Sequence, residues 1–257
     1  MQLLQNKFAF ISGASRGIGH ETAKVLAQNG ANLILLARTS EKLLSLKAEL
    51  EEKYNISVAV FPADVTDHNK IKQLFEENIS LFNKIDIIIN NAGTGMLSGL
   101  FQDTSFEDCK KLLETNLISV LNITHLLLPS FINKKNGHIV NIGSVASRWN
   151  FPKNLAYNIS KHAVLSFSEN LRLDLIGTNI RVTTIEPGAV KTDLTGIGRF
   201  GNEQKAEIFY RGSKLLEPLD VANSILWCLL QPQHVNIQEL VLFPTDQAGV
   251  GHLHRNI

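Results

Sequence analysis

Residues Lys7 to Gly30 read KFAFISGASRGIGHETAKVLAQNG: a short apolar run, a glycine-rich turn, and a stretch with helical periodicity closed by Asn29-Gly30. The run Lys7 to Ser12 predicts a buried strand, and Ile18 to Asn29 predicts a helix with a glycine stop after it. Between them the glycines follow the spacing G-x-x-x-G-x-G, at Gly13, Gly17 and Gly19. Glycine allows positive φ in such a turn and lets backbone N–H groups approach an anion at the start of a helix. A lone glycine-rich stretch is often only a tight turn. Placed after a buried strand and opening a helix, this one reads as a pyrophosphate cradle, with Gly13, Ser15, Arg16, Gly17, Ile18 and Gly19 as its contacts.

The alternation continues outward from that unit. Asn32 to Ala37, Ser57 to Phe61, Asp86 to Asn90, His138 to Gly143, Asn179 to Glu186 and Glu239 to Phe243 are β-rich runs. The helical stretches between them are Glu41 to Lys53, a helix capped by Asp67 and reaching Phe82, Phe106 to Phe131, Ala156 to Ile176, and Asp220 to Leu230. Strands apolar on both faces, joined by helical crossovers, predict an α/β fold with a doubly wound parallel sheet covered on two sides. No linker or repeat interrupts the pattern, so residues 1–257 are expected to form a single domain, with a lid insertion over the site at about residues 191–216.

Composition removes other classes. The chain has 257 residues, 44% hydrophobic and 19% charged, which suits a globular protein and excludes disordered or fibrous ones. A net charge of +1 gives no general attraction to nucleic acid or an anionic membrane. Cys109 and Cys228 make no disulfide framework and no metal-ligand pattern, so no metal is expected. The start MQLLQNKFAF lacks a secretory signal, and no continuous apolar run approaches the length of a membrane span. The expectation is a soluble protein of a reducing compartment, hence cytoplasmic.

Charge selects among dinucleotides. An NAD site wants an acid about 20 residues beyond the loop, to accept from the ribose 2′-OH. Here that region reads Leu36-Ala37-Arg38-Thr39, and the nearest acid, Glu41, falls in the next helix. Arg38 and Arg16 suit a 2′-phosphate through charge-assisted bonds, so NADP(H) is the expected cofactor. Tyr157 and Lys161, four apart at a helix start, share a face. An ammonium beside a phenol of ordinary pKa about 10 favours phenolate, which makes a proton donor for a developing alkoxide. Ser144 follows a strand, where its hydroxyl faces the ligand crevice of such a sheet.

With these residues in place, the chain resembles the short-chain dehydrogenase/reductase family over nearly its whole length. SGASRGIG (Ser12 to Gly19) is similar to the family's cofactor fingerprint, with Ser12 where threonine is commoner. Asp64-Val65 is similar to its adenine-contacting pair, and Asn90-Asn91-Ala92-Gly93 to its sheet-stabilising NNAG motif beside the nicotinamide ribose. Asn116, Ser144, Tyr157 and Lys161 match its catalytic tetrad, and Pro187-Gly188 with Val190 and Thr192 match its carboxamide and phosphate segment. Gly143 departs from the serine that often precedes the catalytic serine, with little consequence expected. The resemblance implies a Rossmann-like, seven-stranded sheet, a homotetramer or homodimer, and hydride transfer between nicotinamide and a carbonyl or secondary alcohol. It implies that Ser144 holds the carbonyl oxygen and Tyr157 delivers the proton. Lys161 would lower the tyrosine pKa and bind the ribose, while Asn116 keeps a relay water.

The tail Val235 to Gln247 looks like that of NADP-dependent 3-hydroxy acid and sepiapterin-reductase-like members, whereas ISGASRGIG suits the 3-oxoacyl-carrier-protein reductases equally. The expected substrate is a short 3-hydroxy acid or 3-oxoacyl compound. The basic residues Lys191, Arg199, Lys205, Arg211 and Lys214 of the lid suit a carboxylate or phosphopantetheine substrate, but an ordinary solvated helix is the favoured reading. Trp149, Phe200, Phe209 and Tyr210 are candidate pocket walls or packing aromatics. A different class, a catalytically silent NADP-binding regulatory or scaffold protein, would be expected to lose Tyr157 or Lys161, and both are present. An epimerase-like reading lacks its glycine spacing.

Overall fold

Parallel strands in the order β3-β2-β1-β4-β5-β6-β7 make one seven-stranded sheet in the computed structural model, which describes residues 3–95, 99–192 and 203–256. They are β1 (Phe8–Ser12), β2 (Asn32–Ala37), β3 (Val58–Pro62), β4 (Ile87–Asn90), β5 (Gly137–Ile142), β6 (Ile180–Pro187) and β7 (Glu239–Leu242). Alternate strand residues point to opposite faces, and both faces are apolar. Ile11, Leu33 and Leu35 face one core; Phe10, Ile34 and Leu36 face the other. The first core is covered by α1 (Gly17–Gln28), α2 (Ser40–Lys53) and, later in the chain, the helix Pro218–Leu229. The second core includes Phe75 and Phe82, whose rings stack at 4.1 Å. This is the Rossmann-like α/β architecture expected.

Two helices differ from the sequence reading. The helix expected from Asp67 to Phe82 is two, α3 (His68–Glu77) and α4 (Ile79–Phe82), because Asn78 leaves helical geometry and its side chain donates to the Leu74 carbonyl. The stretch from Phe106 begins as α5 (Phe106–Leu113), widens into a π-helical turn at Glu114–Ile118, and resumes as α6 (Ser119–Lys134). It ends at Lys134, three residues beyond the predicted stop, with Lys135 after it in a left-handed conformation. Phe106–Lys134 matches a membrane span in length and mean hydropathy, 1.4, yet Ile123, Leu127 and Phe131 are buried in the second core. The remaining helices are α7 (Leu155–Asp174), α8 (Glu203–Tyr210) and α9 (Pro218–Leu229). Residues 193–202 of the expected lid, including Asp193, Arg199 and Phe200, lie outside the described residues, as do the side chains of Glu203, Lys205 and Phe209.

Strand order reverses between β4 and β2 on either side of β1, so connections leave in opposite directions there and open a crevice at the carboxyl ends of the strands. The opposite end carries a buried polar pair. His138 on β5 shares a 2.8 Å hydrogen bond between Nε2 and Thr183 Oγ1, and burial, with Arg181 adding, pushes its pKa down to about 3. The unfolded chain therefore binds a proton that the folded one refuses between pH 6.5 and 3. Stability from this residue is present above pH 6.5 and lost as pH falls, by about 4–5 kcal/mol at full protonation. His138→Gln is expected to flatten the acid limb of urea-midpoint against pH over that window; an unchanged slope would refute the assignment.

Candidate active site

The glycine turn is held from below by β4. Ser12 Oγ accepts from the N–H groups of Asn91 and Ala92, at 3.1 and 3.0 Å. Asn91 Nδ2 donates to the Ser12 and Gly13 carbonyls, at 3.0 and 3.1 Å. The hydroxyl needed there is supplied as well by Ser12 as by threonine. At Gly19 a Cβ would lie 2.4 Å from Asn91 Nδ2 and 2.5 Å from the Gly13 carbonyl oxygen, so only glycine fits. Helix α1 starts after Arg16 with no side-chain cap and no acid in its first turn, which leaves its amino end suited to an anion. Asn90 donates to Asn141 and Thr124, stitching β4 to β5 and α6.

A cleft of about 1420 Å³ runs along the strand ends. Of the residues expected to contact cofactor, Gly13, Ser15, Arg16, Gly17, Ile18, Arg38, Asp64, Val65, Asn91, Ala92, Gly93, Pro187, Gly188, Val190 and Thr192 line it, and Gly19 packs behind the turn. Arg38 is 74% exposed and its Nη1 lies 3.8 Å from Asp64 Oδ2. Counting residues along one strand missed that carboxylate, which arrives because β2 and β3 are neighbours with Ala37 opposite Pro62. Asp64 Oδ1 accepts from the Thr66 N–H and hydroxyl, so the carboxylate is fixed in its own turn. Lys42, in the first turn of α2, also lines the cleft and was not singled out from the sequence.

The reactive groups gather on the other side. Ser144 follows β5 and caps the short 3₁₀ turn Val145–Ser147, its Oγ accepting from Ala146 N–H at 3.1 Å. Tyr157 and Lys161 sit in the first turns of α7, both buried, with Lys161 Nζ 5.8 Å from the centre of the tyrosine ring. Lys161 Nζ donates to the Ile142 carbonyl at 2.9 Å, and burial pushes its pKa down to about 8. Asn116 lies in the π turn, where such turns favour functional positions. Its carboxamide accepts from Thr94 N–H at 2.7 Å and donates to the Thr94 carbonyl and Ser160 Oγ, each at 3.2 Å. Ser160 in turn donates to the Tyr157 carbonyl.

Beyond Ser144, Arg148 donates through Nε and Nη2 to both oxygens of Glu186, at 2.8 and 3.0 Å. Glu186 is fully buried, and burial lifts its pKa above the ordinary carboxylate range despite the guanidinium. Arg148 also bonds Glu239, which receives Arg172 of α7 at 3.2 Å. Gly143 leaves room for this clamp: a Cβ there would come 3.2 Å from Glu186 Cγ and 3.0 Å from Thr184 Cγ2. The departure expected to be inconsequential therefore has a packing reason. Trp149 packs on Phe243 at 5.9 Å; among the described residues Phe151 and Tyr210 line the cleft with Tyr157.

A sequence profile described as short chain dehydrogenase matches residues 7–199. The chain belongs to this family. Within it, the chain is 35% identical over 256 residues to an NADP-dependent 3-hydroxy acid dehydrogenase of Schizosaccharomyces pombe, covering 99% of each protein. It is 36% identical over 239 residues to a sulfoacetaldehyde reductase of Chromohalobacter salexigens, covering 93% of this chain and 94% of that one. Among solved structures, the closed form of a serine dehydrogenase complexed with NADP+ superposes with a TM-score of 0.88 at 34% identity, covering 97% of this chain and 100% of that one.

The donor set fits a dinucleotide phosphate. Arg16, Arg38 and Lys42 gather near the β1 and β2 ends, while Tyr157 and Lys161 stand near β5. From β2 to β5 is three strand spacings, roughly 14 Å, which an extended dinucleotide spans. The uncapped start of α1 lies between, where the pyrophosphate would be held. Among the described residues no group of three or more His, Cys, Asp or Glu side chains is placed to hold a metal.

Proposed function

We propose that this short-chain dehydrogenase is an NADP(H)-dependent oxidoreductase interconverting a carbonyl and a secondary alcohol, with a short 3-hydroxy acid or its 3-oxo counterpart as substrate. The observation that carries the reading is the placement of Ser144, Tyr157 and Lys161 at one end of a cleft whose other end bears Arg16 and Arg38. Bound NADPH supplies the hydride. Ser144 orients the carbonyl oxygen, and the Tyr157 phenol donates the proton that oxygen needs as the carbon is reduced. Lys161, charged below about pH 8, stabilises the phenolate left behind. Asn116 acts through Thr94 and Ser160, holding the loop after β4 against the helix that carries Tyr157.

Support for the substrate class comes from the relatives named for 3-hydroxy acid, serine and sulfoacetaldehyde chemistry. We further assign the chain a single domain with a lid at about residues 191–216 and a cytoplasmic location. An NADPH-oxidation screen over short 3-oxo acids, 3-oxoacyl thioesters, diketones and steroids tests the reading; no turnover with any of them would reject it.

Cofactor choice rests on Arg38. Losing one charge-assisted contact costs on the order of 1.5–3 kcal/mol, roughly ten- to a hundredfold in affinity. Arg38→Ala is expected to weaken NADPH by that factor and leave NADH binding nearly unchanged, read by fluorescence titration. Equal NADH and NADPH affinity in the wild type would reject the assignment.

Assembly as a homotetramer or homodimer is the expected state. Leu155 and Ile159 on α7 and Phe106 on α5 are exposed apolar residues suited to a second copy. Sedimentation at micromolar protein should give a multiple of the monomer mass, and a monomer alone would count against it.

A further inference from the structure

The turn that carries Ser144 is tied to β6 on both sides. At its entry Gly143 N–H donates to the Ile185 carbonyl at 2.8 Å. At its exit Arg148 grips Glu186, the next residue of β6, through Nε and Nη2. Within the turn, Ala146 N–H donates to Ser144 Oγ at 3.1 Å, and Ser144 N–H donates to Ser147 Oγ at 3.3 Å. A hydroxyl oxygen that already accepts from the backbone keeps its own proton to donate outward. The shape of the turn therefore decides where the Ser144 hydroxyl points.

Arg148 stands in a chain of alternating charge. Glu186 is its buried partner and Glu239 on β7 its second; Glu239 in turn receives Arg172 of α7, the helix that bears Tyr157 and Lys161. Positive and negative charges balance along it. As a pair, Arg148 and Glu186 add little net stability, because taking a carboxylate out of water offsets most of what its arginine returns. Nor are they needed for register: β5 and β6 already pair from Gly137 to Ile142. What a bidentate contact adds is a fixed distance and a fixed angle. Neither residue lines the cleft, so the contact acts on the site through the turn it holds.

We propose that Arg148 is a positioning residue for the reduction: by clamping the exit of the turn to Glu186, it holds the Ser144 hydroxyl where the substrate's carbonyl oxygen must lie. The inference rests on the oxidoreductase reading and adds a residue to it. Displacing a reacting group by about 1 Å can cost up to a hundredfold in rate, whereas binding of cofactor and substrate in the ground state tolerates such a shift. Loss of the clamp should therefore appear in kcat. It should have no further effect once position 144 has no hydroxyl to place.

The test uses the paired variant Arg148→Met/Glu186→Met, which removes the clamp without stranding the carboxylate, beside Arg148→Lys and Ser144→Ala. Rates are taken with the carbonyl compound reduced fastest in the screen, expected to be 3-oxobutanoate, and NADPH is titrated separately. The paired variant should melt within a few degrees of wild type. Its kcat should fall by about ten- to a hundredfold, and by no more than Ser144→Ala loses. KM and NADPH affinity should stay within about threefold, and Arg148→Lys should retain part of the rate. Added to Ser144→Ala, the paired substitution should cost less than about twofold in kcat, because a residue that acts through another is not additive with it. A folded paired variant with wild-type kcat, an equal further loss in the Ser144→Ala background, or a fall in NADPH affinity that accounts for the rate would each overturn the proposal and leave the oxidoreductase reading intact. Failure of both the paired variant and Arg148→Lys to fold would assign the clamp to the fold alone and overturn it too. A wild type inert toward every carbonyl in the screen would overturn both readings.

Discussion

Tyr157→Phe is expected to lower turnover by on the order of 10²–10⁴ while leaving NADPH affinity close to wild type. The substitution removes one oxygen and its proton and keeps the ring, so packing in the small core of Cys109, Leu112, Ala146 and Ala156 around Tyr157 survives. Only the step in which the carbonyl oxygen takes a proton loses its donor. Ser144→Ala should cost less, because it removes one hydrogen bond at that oxygen and leaves the proton source in place. Steady-state NADPH oxidation with a short 3-oxo acid, beside a fluorescence titration, measures both effects. Near-normal turnover in a folded Tyr157→Phe protein would place the chemistry elsewhere.

Lys161→Met separates stability from activity. Burying the Lys161 ammonium depresses its pKa from 10.5 to about 8, so the unfolded chain binds the extra proton between those values. Stability therefore rises with pH through that window, and below pH 8 the free protein carries the full penalty of about 3 kcal/mol. Methionine fills similar space without charge, losing the bond to the Ile142 carbonyl, worth about 1 kcal/mol. The variant should melt at or above the wild-type temperature at pH 7, the difference closing toward pH 10. Its turnover should fall by at least as much as that of Tyr157→Phe, and its NADPH affinity should weaken. A melting temperature several degrees below wild type at every pH would show that the lysine is needed for the fold itself.

Strand positions were legible because both core faces demand apolar side chains at every position of Ile34 to Leu36 or Ile87 to Ile89, and turn residues bound them. The candidate tetrad was legible because Ser144, Tyr157 and Lys161 lie close in sequence and on regular elements. The remainder depended on contacts between distant segments. Asp64 beside Arg38 follows from strand adjacency, and no spacing within either strand encodes it. The break at Asn78 and the widened turn at Glu114–Ile118 lie inside stretches whose apolar period is nearly continuous, so periodicity passed over them. Asn116 was picked out by motif, but the task its carboxamide performs was not, since Thr94 and Ser160 come from other elements.

The clamp between Arg148 and Glu186 joins the turn after Ser144 to the residue just before Pro187-Gly188. Replacing Arg148 alone strands the Glu186 carboxylate in the interior, a loss of about 3–5 kcal/mol, whereas replacing Glu186 alone leaves Arg148 partly exposed and still bonded to Glu239. Descent through single substitutions is therefore blocked in one order only, with the arginine lost first. Across the family's divergence, a glutamate at position 186 should therefore be accompanied by the arginine at 148, whereas the arginine can outlast the glutamate.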